Sequence, residues 1–305
     1  ILAQVCTVLY FAYFIGMPFW TRMEKTSPEP NRLQMKGLPL RMVLGGLALF
    51  VVLVIVPIKA VGAETAFKCG SIPCDQMQPD LKNQASLQRG AKYFMNYCMG
   101  CHSAKFSRYG RVADDLGIPP ELMMENLVFS DQAIGDLMDI SMSAADAKKF
   151  FGVMPPDLTL VARARSPEWL YTYLRNFYKD ETRPFGVNNR VFANVGMPHA
   201  MVELQGLPEC GPGPKLNAAG KPERDSVGDV VIDEHCGSLV EGELEGSMSA
   251  EEFDLAMFDL VNFLEYIAEP ARLDRERIGI FVLLFLVVFF IFAYLLNREY
   301  WKGIH

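Results

Sequence analysis

The sequence is poor in histidine, in strand signals and in internal repetition. Only four of its 305 residues are His, and none of them lies at the spacing from a cysteine pair that a zinc finger requires. Residues 64–277 contain no internal repeat, which argues against a repeat architecture. Runs of alternating apolar and polar residues are also few there, while apolar residues at helical spacing are common. We therefore expect a mostly α-helical body.

Charge is nearly absent from three long apolar stretches, Ile1–Trp20, Leu38–Ile58 and Ile278–Leu296. The third has no charged residue and no proline, and it is long enough to cross a membrane as a helix. The first has about the length of one membrane span. The second begins with one arginine and ends before the small residues Val61-Gly62-Ala63. This pattern fits either a cleaved secretory signal or an uncleaved signal-anchor helix.

The charges that the chain does have are unevenly distributed. Residues 64–277 contain 21 Lys and Arg against 33 Asp and Glu, and the two flanks contain 8 against 3. The middle therefore carries −12 and the flanks +5 of the formal charge of −7. The segments that follow the first and third apolar stretches are basic. This predicts that the two basic segments are cytoplasmic. Residues 64–277 are then periplasmic in a bacterial host, and their acidity favours a basic soluble partner.

The cysteines number seven. Cys6 lies in the first apolar stretch, and two others belong to the motif described below. The other four form two pairs in polar, loop-like sequence, Cys69 with Cys74 and Cys210 with Cys236. Such pairs indicate disulfides in an extracytoplasmic domain, and the alternative is four free thiols in a reducing compartment. A bond between the second pair would close a loop of about 25 residues and contribute about 3 kcal/mol.

N-cap serines, a capping box and apolar residues at helical spacing predict four helices in the body. They are Leu87–Tyr97, a helix that starts after Ser143 and ends at Gly152, a helix that starts at Ser166-Pro167, and a long helix from Ser249 to just before Pro270. Residues 205–246, rich in glycine, proline and acidic side chains, are too many for an ordinary connection between the last two helices.

The motif Cys98-Met99-Gly100-Cys101-His102 is the strongest chemical signal in the chain. Two thiols at this spacing can each add to one vinyl group of a haem, and the adjacent imidazole then ligates the iron. The alternatives for such a cysteine pair are half of a zinc site or a redox disulfide. The motif predicts one covalent haem c with His102 as the proximal ligand.

The sixth iron ligand is less evident, because 16 methionines are present and most methionines fill cores. Met197 lies in a loop of small residues before Pro198, and Met154 lies before Pro155. Both remain candidates, as does His199. A thioether ligand would raise the redox potential. Arg163 and Arg165 are candidate partners of the haem propionates, or else solvated side chains that precede a helix.

From about Ala85 to the C-terminus the chain resembles the cytochrome c1 family. The features that carry the resemblance are Arg89-Gly90, Cys98-Met99-Gly100-Cys101-His102-Ser103, Tyr109, Met154-Pro155-Pro156-Asp157-Leu158, Gly196-Met197-Pro198, and a last helix followed by an apolar anchor and a basic tail. The haem motif alone is common to c-type cytochromes, whereas the ordered set with its anchor is much more specific.

The resemblance implies a class I cytochrome c-like haem domain with insertions, followed by a C-terminal transmembrane helix. It implies Cys98 and Cys101 as the thioether sites of the haem, and His102 and Met197 as its axial ligands.

The resemblance also implies the surroundings of the haem. Pro155 and Pro156 would lie against it, and Arg165 and Tyr171 would lie near a propionate. The Cys210/Cys236 insertion resembles that of bacterial members, in which such a pair forms a disulfide close to the ligand loop.

The front of the chain departs from this family. Residues 1–36 resemble the last transmembrane helix and cytoplasmic tail of cytochrome b, as in a fused precursor. The predicted organisation continues with a signal peptide or signal-anchor helix over 37–63, a periplasmic haem domain over 64–277, and a C-terminal anchor and cytoplasmic tail over 278–305.

By resemblance, the chain would be an electron-transfer subunit of ubiquinol–cytochrome c oxidoreductase in a bacterial inner membrane, without catalysis of its own. It would accept single electrons from a Rieske iron–sulfur protein and pass them to a soluble or membrane-tethered cytochrome c. Cytochrome b and membrane lipid are the other expected partners, nucleic acid is not one, and the complex would be dimeric. The alternative is a membrane-tethered haem sensor or electron-carrier module outside such a complex, which an open sixth coordination position would favour.

Overall fold

A computed structural model describes residues 69–70, 72–140, 142–217 and 221–302. The predicted cytochrome b-like segment and the signal segment lie outside the described residues. The helices are α1 Gln84–Tyr93, a π-helix Phe94–Cys98, α2 Tyr109–Leu116, α3 Pro120–Asn126, α4 Ala144–Phe151, α5 Val161–Arg165, α6 Pro167–Leu174, α7 Val202–Gln205, α8 Ala250–Ala268 and α9 Arg272–Trp301. The strands are β1 Ala104–Arg108, β2 Leu137–Met138, β3 Phe177–Lys179, β4 Val187–Asn189, β5 Glu209–Pro214 and β6 Ile232–Val240.

The expected mostly α-helical architecture is confirmed. Strands occur in the described residues as three antiparallel pairs, β1 with β2, β3 with β4 and β5 with β6. The last pair occupies the glycine- and proline-rich stretch that was too long for a simple connection. It is a hairpin closed by a Cys210–Cys236 disulfide, and a second disulfide joins Cys69 to Cys74.

The predicted capping residues start the helices that they were expected to start. The Ser143 hydroxyl accepts from Asp146 N, and the helix ends at Gly152 with φ of 77°. The Ser166 hydroxyl accepts from Trp169 N. Ser249 and Glu252 form the reciprocal capping box. Each of these side chains satisfies a backbone N–H that the first turn of a helix leaves without a partner.

The helix before the cysteine motif differs from its predicted bounds. It starts at Gln84, because the side chain of Asn83 accepts from Ser86 N at 3.1 Å. It ends at Tyr93 and continues as a π-helix through Cys98, where Met99 N donates to Phe94 O at 3.0 Å. A π-turn is typical of functional sites, and here it places the first cysteine of the motif.

The core is built on the crossing of α1 and α8. A Cβ atom on Gly90 would collide with the carbonyl oxygen of Asp259, so only glycine permits the two backbones to approach this closely. Next to it, the rings of Phe94 and Phe263 pack with centroids 5.6 Å apart. The guanidinium of Arg89 donates two hydrogen bonds to the buried carboxylate of Asp259, at 2.5 and 3.1 Å.

The C-terminal helix α9 has 30 residues, which corresponds to about 45 Å. It is long and apolar enough to cross a membrane, and it starts six residues before the predicted apolar segment. The charged first turns remain helical, with an ion pair between Arg272 and Glu276 one turn apart.

Candidate haem site

A cavity of about 390 Å³ lies beside the cysteine motif. Most of its lining is apolar, and it includes seven of the predicted site residues: Cys98, Cys101, His102, Pro155, Pro156, Arg165 and Met197. The sequence prediction did not single out other lining residues as part of the site, among them Tyr97, Leu158, Tyr173, Leu260 and Leu264. Leu260 and Leu264 lie on the apolar face of the long helix, so helical periodicity could have identified them.

The two thiols and the imidazole come from one tight turn. Cys101 N and His102 N both donate to Cys98 O, at 3.0 and 2.9 Å. The Cys98 side chain is buried, and this burial raises the pKa of its thiol to about 12. The thiol is therefore neutral at ordinary pH, with its sulfur in the lining of the cavity.

The imidazole of His102 is fixed by a single hydrogen bond. Its Nδ1 lies 2.7 Å from the carbonyl oxygen of Pro156, so Nδ1 carries the proton and Nε2 remains the acceptor. Burial lowers the pKa of His102, which favours this neutral form. The segment that provides the carbonyl is itself held, since Leu158 N donates to Ser103 O and the Ser103 hydroxyl donates to Asp157, both at 2.8 Å.

The structure separates the three candidates for the sixth ligand. Met197 is half-buried in the cavity lining, and the Tyr173 hydroxyl donates to its sulfur at 3.5 Å. Met154 is exposed and His199 is buried, and neither of them lines the cavity. The ring of His199 instead stacks on Phe177 with centroids 4.8 Å apart.

The structure places the two predicted propionate partners differently. Arg165 lines the cavity, with its guanidinium 5.2 Å from the ring centroid of Trp169. Tyr171 lies outside the lining, where its ring packs on Arg175 at 4.4 Å.

The position of Tyr171 follows from helix geometry, and its role near a propionate stays a prediction. The cavity face of α6 consists of Trp169, Leu170, Tyr173 and Leu174, which are separated by one and four positions and so share one side of the helix. Residue 171 is rotated away from that side. Arg163, the other arginine considered, is also absent from the lining.

The cavity suits a haem c. It offers an apolar interior, two cysteines and an imidazole with a free Nε2 from one segment, and a soft thioether from another, which is the donor set of a His/Met c-type haem. Among the described residues, no group of three or more His, Cys, Asp or Glu side chains is placed to hold a metal ion. The zinc alternative for the cysteine pair therefore finds no further ligands in this part of the chain.

The family model of the cytochrome C1 family matches residues 78–207 and 240–304. The unmatched residues 208–239 contain β5 and all of β6 except its last residue, so the disulfide-closed hairpin is an insertion relative to that model. This agrees with the insertions that the resemblance implied.

Curated relatives agree with the family match. Cytochrome c1 of Allochromatium vinosum is 53% identical over 226 residues, which cover 74% of this chain and 87% of that protein. A protein of Nitrosomonas europaea named ammonia monooxygenase gamma subunit is 40% identical over 234 residues, which cover 77% of this chain and 90% of that protein. Cytochrome b/c1 of Bradyrhizobium diazoefficiens is 24% identical over an alignment that covers all of this chain and 47% of that protein.

Proposed function

The chain belongs to the cytochrome c1 family, and from this premise we propose which side chains, partners and membrane side serve its electron transfer. Members of the family carry one covalent haem c and transfer electrons in a cytochrome bc1 complex. The single observation that carries the assignment of side chains is the cavity in which Cys98, Cys101 and His102 come from one segment and Met197 from another.

In this proposal Cys98 and Cys101 would hold the haem through two thioether bonds, and His102 and Met197 would ligate its iron. The haem, when bound, supplies an iron that alternates between Fe(III) and Fe(II). The Pro156 carbonyl keeps His102 in the tautomer whose Nε2 is free. The Tyr173 hydroxyl restrains the sulfur of Met197, and a thioether ligand keeps the potential high.

Arg165 is proposed to balance the charge of a propionate. It is a cation in the lining of an otherwise apolar cavity, and its guanidinium is held over the Trp169 ring. A charge-assisted hydrogen bond from such a group offsets the cost of burying a carboxylate. Pro155 and Pro156, also in the lining, are proposed to pack against the haem face and exclude water.

The partners follow from the family. We propose a Rieske iron–sulfur protein as the electron donor, a soluble or membrane-tethered cytochrome c as the acceptor, and cytochrome b as the neighbour in the membrane of a dimeric complex. The relative named cytochrome b/c1, which aligns with the whole of this chain, supports the association with cytochrome b. The acidity of residues 64–277 supports a basic acceptor.

The protein is membrane-anchored, and we propose that the haem domain lies on the periplasmic side of a bacterial inner membrane. Basic residues lie in the last turn of α9, at Arg298, and directly after it, at Lys302, and positive charge marks the cytoplasmic end of a transmembrane helix. The domain that precedes the helix then lies on the other side.

The test is a redox titration of Met197→Leu, with Met154→Leu as the matched control. Both methionines precede a proline, but only Met197 lines the cavity. We expect the first substitution to lower the midpoint potential and to allow CO to bind the ferrous iron, and the second to change neither property. A potential that stays high in Met197→Leu would refute the ligand assignment. CO binding to the unmodified protein would support the haem-sensor alternative instead.

A further inference from the structure

The loop that carries Met197 has few hydrogen bonds between backbone groups. In the part of the chain that the structure describes, residues 191–198 contain one short turn at 193–194 and show no other hydrogen bond between backbone groups. The last such bond before the loop joins Arg190 N to Asn176 O at 3.1 Å. Backbone N–H groups need partners wherever water is excluded, so the conformation of this loop depends on side chains.

Asn189 provides the first set of those partners. It is 1% exposed, and its Oδ1 accepts from Val191 N at 2.8 Å and from Phe192 N at 3.3 Å. Its Nδ2 donates to Tyr173 O at 2.8 Å. Tyr173 is also the residue whose hydroxyl donates to the sulfur of Met197. One amide therefore joins the start of the loop to the cavity wall that Met197 contacts.

Asn188 provides the second set. Its Oδ1 accepts from Asn194 N at 2.9 Å, and its Nδ2 donates to Asp180 at 2.9 Å. Asn194 has a positive φ of 60°, a left-handed conformation that asparagine adopts more readily than most other non-glycine residues. The bond to its N–H holds the chain at the bend that directs residues 195–197 towards the cavity.

Arg183 holds the same bend through its carbonyl groups. Its Nη2 donates to Asn194 O at 2.9 Å and lies 3.4 Å from Val195 O. Asn188 and Arg183 thus bind the N–H and the C=O of one residue. The cation is half-buried and, among the described residues, forms no ion pair with a carboxylate, so these carbonyls are its main partners.

We propose that Asn188, Asn189 and Arg183 are positioning residues that hold the loop closed, so that Met197 stays at the iron against competing ligands. The proposal rests on the proposed function in taking Met197 as an axial ligand. A ligand carried by a loop can bind only while the loop has the binding conformation. Each bond that holds the loop in that conformation therefore raises the effective affinity of the sulfur for the iron.

The simpler alternative is that these amides only stabilise the fold. Asn262 separates the two possibilities, because it is also buried, at 0% exposure, and its Nδ2 donates to Asp80 O and to the Ser86 hydroxyl. It lies on α8, remote in sequence from the loop. Its removal should lower the free energy of unfolding without changing the ligand loop.

The test measures the apparent affinity of the full-length, haem-loaded ferric protein in detergent for added imidazole, which can bind only when Met197 leaves the iron. We expect Asn189→Ala and Arg183→Leu to bind imidazole about tenfold more tightly than the unmodified chain, the factor that corresponds to losing one hydrogen bond of ~1.4 kcal/mol. Arg183→Lys, which retains a cationic donor, should recover part of the difference. Asn262→Ala should bind imidazole as the unmodified chain does.

Hydrogen exchange gives an independent readout. Peptides that span residues 190–197 should exchange faster in Asn188→Ala and Asn189→Ala, since the N–H groups of Val191, Phe192 and Asn194 lose their acceptors. Unchanged exchange there, with unchanged imidazole affinity in Arg183→Leu, would overturn the proposal. Arg183 is half-exposed, so its variants test the idea even if the asparagine variants fail to fold.

Met197→Ala distinguishes failure of this inference from failure of the ligand assignment. If Met197 is a ligand, Met197→Ala binds imidazole most tightly, and adding Arg183→Leu to it has no further effect. If Met197→Ala binds imidazole as the unmodified chain does, the ligand assignment itself is wrong. If Met197→Ala binds tightly while Arg183→Leu and Asn189→Ala do not, the assignment stands and the positioning role is refuted.

Discussion

Two regions next to the proposed haem cavity are held together in different ways. The α1–α8 crossing consists of regular helices whose backbones pack directly on each other at Gly90 and Asp259. The loop of residues 191–198 has no such regularity, and three polar side chains supply its hydrogen bonds. The crossing is held by close packing at Gly90 together with the Arg89–Asp259 hydrogen bonds, and the loop by a few bonds from side chains.

Because of this difference, we expect the two regions to affect different properties: the stability of the whole domain and the position of one ligand. A defect at a helix crossing affects the whole domain, because native cores are close-packed and transmit strain. A defect in a loop held by side chains can open that loop while the rest stays folded. The crossing should therefore determine whether the domain folds, and the loop how firmly the sixth ligand is held.

The largest expected effect comes from adding one carbon atom at the crossing. Gly90→Ala should lower the free energy of unfolding by about 3 kcal/mol, because the new methyl group meets backbone atoms of Asp259 and these cannot rotate away. Guanidinium titration of the full chain in detergent measures this change. Gly135→Ala is the control, since a Cβ there has no atom within 4 Å. Equal stability of the two variants would show that the crossing is not close-packed.

A smaller effect is expected from Arg89→Leu. The carboxylate of Asp259 is 2% exposed and would lose two charge-assisted hydrogen bonds, so the free energy of unfolding should fall by about 2 kcal/mol. Arg111→Leu is the matched control, because the Arg111–Asp115 pair lies on one exposed helix face and contributes about 0.5 kcal/mol. Neither variant should change the imidazole affinity, and a change in Arg89→Leu would remove the distinction between the two regions.

The smallest expected effect is on the pH dependence of stability, at Asp180 next to the loop. Hydrogen bonds from Thr182 and Asn188 lower the pKa of Asp180. A depressed pKa stabilises the fold above the ordinary Asp pKa, and this contribution is lost as the pH falls through the folded-state value. Asp180→Asn should therefore flatten the loss of stability that begins below about pH 5 and continues as the pH falls through the folded-state pKa of Asp180.

Asp225 is the control for that titration. Backbone N–H groups of Asp229 and Val227 lower its pKa as well, but it lies on the inserted hairpin. Asp225→Asn should flatten the same acid limb and leave hydrogen exchange of residues 190–197 unchanged, whereas Asp180→Asn should alter both. If both variants leave exchange unchanged, Asp180 does not support Asn188.

Regular structure was predictable from the sequence because its signals are local. The N-cap serines at 143, 166 and 249 each start the helix that they predict. The cysteine motif likewise defines one wall of the cavity. The role of Tyr171 near a propionate stays a prediction, since spacing along the chain did not show which side of α6 meets the cavity and Tyr171 lies outside its lining.

Other features could not be recognised in the sequence. No side-chain cap marks the start of the π-helix that ends at Cys98. Asn188 and Asn189 accept from N–H groups only two to six positions further along the chain, but asparagines are also common in exposed turns. Their role became visible only with their burial and their hydrogen bonds.

The junction of α8 and α9 has a consequence for how the molecule meets its partners. Only Glu269, Pro270 and Ala271 separate the two helices, and ion pairs from Arg272 to Glu265 and from Arg275 to Glu269 cross the junction. Three extended residues reach ~10 Å at most. A connection of this length, crossed by two ion pairs, limits how far the domain can be displaced from the start of α9. Any larger movement that electron exchange requires must then be made by the partner proteins.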